Sequence, residues 1–391
     1  MSAPRALIDT GTPKCAPNAT AAGPSGKKNS ASIMSKGKVR RISVRSGIRR
    51  RVIAPASKRP LVPGRCMKRI GVIVGGFSSE FEISKKSGAT IIANFPDNYM
   101  PVEITLTKES CQASWNGSLF DIDLKKKGFQ VGDEWISIDV YLVYTHGDPG
   151  ENGRLQAVFE MYGIPYVNSG TLASELSFDK WFCNQFFKGF DVHVADSKLL
   201  LKGDTVDSEE ITSALGLPLF VKPCDSGSSY GISRVNRKED LKNAVEKAFR
   251  EGDSVVIESF LDGTEVTCGV YRNEEGIQAL PLAEIVSENE FFDYEAKYQG
   301  KSKEITPADI TTKMFDTLTA AAQKVYAILN CRGVVRIDFI YDEAAEKAYM
   351  LEVNTVPGQS EASVIPQQVK AMGWNLTDFY GWIIEDSLEQ K

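Results

Sequence analysis

The stretch that most constrains the fold runs from Val334 to Gly358. It reads Val-Val-Arg-Ile-Asp-Phe-Ile-Tyr-Asp, a polar turn over 342–347, then Tyr-Met-Leu-Glu-Val-Asn-Thr-Val-Pro-Gly. Side chains alternate along a strand, so Arg336, Asp338 and Ile340 share one face. Val335, Ile337, Phe339 and Tyr341 then form a core face. In the second run Glu352 and Asn354 fall on one side, with Tyr349, Leu351 and Val353 on the other. Setting Asp338 opposite Glu352 puts Arg336 opposite Asn354, and one face then carries two carboxylates, an amide oxygen and a guanidinium. Like charges directly opposite on a sheet are destabilising. A divalent cation removes that cost, and Mg²⁺ takes hard oxygen ligands shared between carboxylates and phosphates. The arginine suits a phosphoryl group or a developing oxyanion. For a hairpin taken alone, a solvated face with Arg–Asp pairs is the commoner explanation, so the rest of the chain must decide.

The chain has 391 residues, more than one ordinary core, which predicts two or three domains. Its apolar and charged fractions, 42% and 25%, are those of a globular protein. No apolar run reaches the length of a membrane-spanning helix, so no membrane partner is expected. Seven cysteines (Cys15, Cys66, Cys111, Cys183, Cys224, Cys268 and Cys331) are scattered without Cys-x-x-Cys spacing. That predicts reduced thiols in a cytoplasmic setting. With His146 and His193 the only histidines, a multi-histidine metal site is excluded.

The net charge of −5 conceals an asymmetry: residues 1–66 hold fifteen Lys or Arg against Asp9, leaving −19 on the remainder. This segment is rich in Ser, Ala, Pro and Gly, shows no apolar period, and is expected to be a disordered basic extension. A targeting peptide and a basic arm for nucleic acid or anionic membrane are two readings of it. The preferred third is upstream sequence that is not translated, with the start at Met67 ahead of the strand Ile70–Val74. No nucleic-acid partner is expected for the acidic folded part.

From Ile70 the pattern is α/β. The first strand enters Gly75-Gly76-Phe77-Ser78-Ser79, and a helix follows from near Glu80 to before Pro96, with Ser79 and Glu82 as an expected capping box. Strands are expected at 101–106 and 139–144, the second ending in Thr145-His146-Gly147-Asp148-Pro149-Gly150. A helix over 154–162 and a short Pro-Tyr-Val strand complete a βαβ-like unit. Loops at the carboxyl ends of such strands bind ligands, and Glu80 and His146 fall there. Taken singly, a tight turn, a first-turn acid and a hydrogen-bonded loop histidine explain these features as well.

Farther on, Ser177-Phe178-Asp179-Lys180-Trp181-Phe182 reads as a helix with an aromatic packing stripe. Leu217–Pro223 reads as a buried strand opening into Cys224-Asp225-Ser226-Gly227-Ser228-Ser229-Tyr230-Gly231. Small residues there let backbone N–H groups approach phosphate, and Lys222 adds charge. Ser254–Thr267 reads as strand, Asp262-Gly263 turn, strand, with an acid and an aromatic able to hold a purine. The segment 290–303 mixes aromatics with lysines, as loops that close over sites do. A helix over 308–330 delivers the hairpin, and helices around 366–372 and 376–388 end the chain.

Five motifs in order resemble the D-alanine–D-alanine ligases of the ATP-grasp superfamily. They are Gly-Gly-Phe-Ser-Ser-Glu-Phe-Glu-Ile-Ser, His-Gly-Asp-Pro-Gly-Glu-Asn-Gly, Lys-Pro-Cys-Asp-Ser-Gly-Ser-Ser-Tyr-Gly, Phe-Phe-Asp-Tyr-Glu-Ala-Lys-Tyr, and Arg-Ile-Asp followed by Leu-Glu-Val-Asn-Thr-Val-Pro-Gly. The resemblance covers residues 68–391. It implies mixed α/β and α+β architecture: a Rossmann-like amino-terminal domain (67–168), then a central ATP-grasp lobe (169–257) and a carboxyl-terminal lobe with the metal hairpin (258–391).

The resemblance also implies site roles. Lys180 and Lys222 would hold the phosphates of ATP, Glu258, Phe260 and Leu261 would line the adenine, and Glu265 would take the ribose. Asp338, Glu352 and Asn354 would coordinate Mg²⁺, with Mn²⁺ as an acceptable substitute. Glu80, linked through Ser228 to Tyr298, would hold the first D-alanine, and His146 would contact substrate. Arg336 and the Gly358 amide would stabilise the oxyanion, while Lys297, Ser363 and Val364 would seat the second D-alanine. The implied reaction makes D-alanyl-D-alanine through an acyl phosphate for peptidoglycan precursors, in a homodimer. D-alanyl-D-serine or D-alanyl-D-lactate synthesis, or a non-catalytic relative, are the alternatives. No histidine follows Cys268, so a loop histidine that would admit D-lactate is absent and amide product is expected. Two departures stand out: Asn152 where the family has Asp, and Cys224-Asp225-Ser226 where Ser-Arg-Glu is commoner.

Overall fold

A computed structural model describes residues 67–225, 230–287 and 302–389. The extension 1–66 and the candidates Ser228, Lys297 and Tyr298 lie outside the described residues.

Strand β1 (Lys68–Gly75) is the axis of the first sheet, because Ile70, Val72, Ile73 and Val74 are all buried, as a strand covered on both faces requires. Helix α1 (Phe81–Ala93) leads to β2 (Tyr99–Leu106), which pairs parallel with β1. The helix lies close to its strand: a Cβ on Gly88 would come within 2.2 Å of Val74 Cγ1. Strands β3 (Cys111–Trp115) and β4 (Ser118–Asp121) extend the sheet antiparallel, and β5 (Gly128–Val131) and β6 (Glu134–Ser137) form a separate pair. The sequence reading did not find these four strands. On the other side β7 (Val140–Val143) runs parallel to β1. Beyond α2 (Arg154–Met161), the expected Pro-Tyr-Val strand is only a single bridge, Tyr141 to Tyr166.

Two expectations need correction. The capping box does not form: Glu80 occupies the N-cap of α1, whose side chain makes no cap bond. Ser78 ties the loop instead, its Oγ accepting from Glu80 N at 3.2 Å and donating to the His146 carbonyl at 2.7 Å. The aromatic helix is two helices, α3 (Thr171–Phe178) and α4 (Lys180–Lys188), broken at Asp179. That carboxylate caps α4 by accepting from Phe182 N, and Phe182 is exposed rather than packed.

A short strand, β8 (His193–Val194), precedes β9 (Ser197–Leu201), α5 (Ser208–Leu215), β10 (Leu219–Pro223), β11 (Ser233–Val235), α6 (Leu241–Ala248) and β12 (Ser254–Ser259). The second sheet has the order β11-β10-β12-β9. Its core gathers Leu219, Val221, Val255 and Ile257 against Ile211, Leu241 and Val245 of the two helices.

The third sheet holds β13 (Thr264–Asn273), β14 (Gly276–Ala279), β15 (Ala283–Ser287), β16 (Ser302–Ile305), β17 (Val335–Asp342) and β18 (Lys347–Asn354), with β8 at its edge. Helix α7 (Thr312–Ile328) packs on it through Met314, Leu318, Ala322 and Val325. Helices α8 (Val364–Ala371) and α9 (Leu376–Glu389) end the chain. β12 and β13 belong to different sheets, so Asp262-Gly263 is a crossing between sheets and not a hairpin turn.

Candidate active site

The β17–β18 register is the expected one: Arg336 faces Asn354 and Asp338 faces Glu352. A bulge follows, because Phe339 pairs with Met350 and leaves Leu351 unpaired. The extra residue changes which side chains face inward. Ala348, Met350 and Val353 enter the core, whereas Tyr349 and Leu351, expected there, stay half-buried and Leu351 lines the site. Strict alternation cannot foresee a bulge.

Two clefts carry the described candidates. The first, of about 520 Å³, is lined by Lys180, Lys222, Glu258, Phe260, Leu261 and Glu265 together with Asp338. The second, of about 310 Å³, is lined by Glu80, His146, Asn354, Gly358 and Ser363. Lys180, Arg336, Glu352 and Val364 line both, so the clefts meet at the hairpin.

In the first cleft, β10 turns Leu219 and Val221 inward and leaves Phe220 and Lys222 on the open face. The Phe220 and Phe260 rings stack with centroids 6.2 Å apart, and Arg234 covers Phe260 at 4.9 Å. Lys222 Nζ donates to Glu258 Oε2 at 2.6 Å, while Glu258 Oε1 accepts from Asn184 Nδ2 at 2.8 Å. The groups expected at phosphate and at adenine are therefore in direct contact. Burial alone would lower the Lys222 pKa, but the Glu258 carboxylate outweighs it and holds the ammonium above its usual value.

At the hairpin, Arg336 clamps Asp338: Nε donates to Oδ1 at 2.9 Å and Nη2 to Oδ2 at 2.7 Å. The same Nη2 reaches Glu352 Oε1 at 3.3 Å, and Thr267 Oγ1 donates to Asp338 Oδ1. Burial would lower the Arg336 pKa, yet Asp338 and Glu352 together raise it. One guanidinium does not discharge the cluster. Burial, with Asp338 and Glu352 adding, pushes Glu265 up to about 8. Among the described residues no group of three or more His, Cys, Asp or Glu could hold a metal ion. The available donors are two carboxylates and the Asn354 amide oxygen, which accepts from Val356 N at 3.0 Å and keeps a second lone pair. That set fits Mg²⁺ shared with substrate phosphates rather than caged by protein.

In the second cleft His146 is buried, 4% exposed, with Nε2 3.0 Å from Ser87 Oγ. Ser363 sits at the N-cap of α8, its Oγ 2.8 Å from Ser360 Oγ. A Cβ on Gly358 would lie 2.9 Å from Ser363 Oγ, so the loop and the helix start are in contact. Asn152 proves compatible with its loop, since Nδ2 donates to Asp148 Oδ1 at 2.7 Å where a second carboxylate would repel. Glu304 on β16 lines both clefts and accepts from Gln367 Nε2 at 2.7 Å. Sequence reasoning missed it because nothing in its surroundings marks it. Phe220 could have been found from the alternation that exposes Lys222.

Family models described as D-ala D-ala ligase N-terminus and C-terminus match residues 69–169 and 186–385. A D-alanine–D-alanine ligase of Parabacteroides distasonis is 41% identical over 329 residues, 83% of this chain and 98% of that protein. One from Bacteroides fragilis is 43% identical over 328 residues, 82% of this chain and 99% of its own length. The chain belongs to the D-alanine–D-alanine ligase family. Solved structures agree on the fold. The VanG D-Ala:D-Ser ligase of Enterococcus faecalis superposes with a TM-score of 0.74 at 30% identity, covering 82% of this chain and 99% of that one. The Bacillus anthracis D-alanine–D-alanine ligase complexed with ATP gives 0.67 at 31% identity, covering 82% and 98%. The mixed α/β architecture with several sheets is thus that of D-alanine ligases.

Proposed function

We infer that the chain joins two D-alanines into D-alanyl-D-alanine at the expense of ATP, supplying a peptidoglycan precursor. The observation that carries this is the meeting of two clefts on Arg336 and Glu352 in a chain of this family. One cleft has an aromatic pair and lysine for a nucleotide, and the other has compact polar groups for amino acids.

In the first step a carboxylate oxygen of one D-alanine attacks the γ-phosphorus and ADP leaves, giving an acyl phosphate. In the second, the free amine of the other D-alanine adds to the acyl carbon, a tetrahedral oxyanion forms, and phosphate departs as the nitrogen loses its proton. Lys180 and Lys222 neutralise phosphate charge, Phe260 and Leu261 pack on adenine with Glu258 at its amine, and Glu265 holds the ribose. Glu80 binds the first ammonium, within a link through Ser228 to Tyr298. His146 borders that substrate, and Lys297, Ser363 and Val364 seat the second. Arg336 and the Gly358 N–H take the oxyanion. Asp338, Glu352 and Asn354 would hold Mg²⁺, which when bound supplies charge neutralisation at the phosphates. Catalysis is then mainly positioning and electrostatics.

The parallel strands β2, β1 and β7 with α1 support reading residues 67–168 as a Rossmann-like domain, followed by lobes over 169–257 and 258–391. No helix among the described residues is long and apolar enough to cross a membrane, and we assign a cytoplasmic homodimer by analogy with the family. The test is isotope transfer: D-alanine labelled with ¹⁸O in its carboxylate should deliver label to inorganic phosphate. Unlabelled phosphate would exclude the acyl phosphate.

A further inference from the structure

The peptide joining Pro357 to Gly358 is held from behind by a buried polar chain. Gln359 is fully buried, and its Nε2 donates to the Pro357 carbonyl at 3.1 Å. Its Oε1 accepts from the Tyr380 hydroxyl at 3.0 Å, which fixes the amide orientation, since the flipped amide would face oxygen to a carbonyl. Its backbone N–H donates to Ser87 Oγ at 3.2 Å, and that hydroxyl lies 3.0 Å from His146 Nε2. Helices α1 and α9 thereby meet at Gln359, and Ser87 links the loop after β7 to them.

A trans peptide is planar, so its carbonyl and its N–H point in opposite directions. Turning the Pro357 oxygen toward Gln359 sets the Gly358 N–H on the other side. Gly358 lines the second cleft, and among the described residues its N–H donates to no protein acceptor.

We propose that Gln359 is a positioning residue for catalysis: its side chain, oriented by Tyr380, holds the Gly358 N–H toward the oxyanion of the second step. This rests on the functional reading above, which gives that N–H its role. A donor fixed in advance stabilises developing charge without reorganising when the reaction occurs. Ser87 completes the device by bonding the same loop to α1, whose first turn adjoins Glu80. The acid that binds the first substrate and the amide that receives the oxyanion are registered through one hydroxyl.

The test compares Gln359→Met, Tyr380→Phe and the double variant in the full chain. Gln359→Met alone leaves the Tyr380 hydroxyl without its acceptor and should lower Tm. The double variant also removes that hydroxyl and should recover the part of the loss it caused, the Pro357 carbonyl staying without its donor in both. A merely structural role would let activity recover with stability. Positioning predicts that kcat stays down about 10- to 100-fold in the partly restabilised double variant, with the Kd for ATP within about two-fold of wild type. A kcat that returns to the wild-type value in the double variant overturns the inference. Should the Met variants not fold, Tyr380→Phe keeps Gln359 and must lower kcat with ATP affinity intact; an unchanged kcat there overturns it equally. A wild-type chain that forms no dipeptide fails the functional reading itself and this inference with it.

Discussion

Lys222 Nζ stands 2.6 Å from Glu258 Oε2, and the side chains are only 15% and 5% exposed. Two groups expected at separate ends of the nucleotide neutralise each other across β10 and β12. Removing one member of a buried pair strands the other charge, at a cost of about 3–5 kcal/mol. Lys222→Met should therefore unfold at markedly lower urea concentration. Adding Glu258→Gln should restore most of the stability and none of the ATP affinity. A single variant as stable as wild type would contradict the pairing.

Glu265 carries a pH dependence whose sign follows from its pKa of about 8, raised from 4.5 by burial, Asp338 and Glu352. The folded chain binds this proton more tightly than the unfolded chain, so between those values stability falls as pH rises. Glu265→Gln removes the loss. Its Tm advantage over wild type should be near zero around pH 4.5 and grow to a plateau above about pH 8, worth a few kcal/mol. A difference flat across that range would refute the assignment.

How much of this was legible beforehand depended on where the signal lay. The hairpin register could be read because Arg336, Asp338, Glu352 and Asn354 stand in alternation with Val335, Ile337 and Phe339. The bulge at Leu351 could not, since nothing in Tyr-Met-Leu-Glu tells an extra residue from a regular one. Strands β3 to β6 were missed because each is only four or five residues long with at most two buried positions, too short for an alternation to repeat. The break at Asp179 hid inside an apparently continuous aromatic stripe, where the backbone turns extended to end one helix and the carboxylate caps the next. The contact of Lys222 with Glu258 requires knowing that β10 and β12 pair. The candidate residues came from motifs, and their mutual contacts needed the sheet.

The hairpin carboxylates predict a metal requirement. Asp338→Asn and Glu352→Gln should each lower turnover about 100-fold or more and shift the Mg²⁺ titration to higher concentration. Chelation with EDTA should abolish wild-type turnover, and readdition of Mg²⁺ or Mn²⁺ should restore it. Either variant turning over at the wild-type rate would remove its carboxylate from the site.

Residues 1–66 carry the composition of a segment with no core to contribute. The chain 67–391 should match the full chain in melting temperature and in dipeptide formation. Loss of either would show that the extension acts on the enzyme.

Product identity is the most direct measurement. Purified chain, ATP and Mg²⁺ are incubated with equimolar D-alanine, D-serine and D-lactate between about pH 6 and 9, and products are resolved by mass. D-alanyl-D-alanine should dominate at every pH, with one ADP and one phosphate per dipeptide. D-alanyl-D-lactate ester as the main product near pH 6, D-alanyl-D-serine as the main product, or ATP turnover without condensation would contradict it.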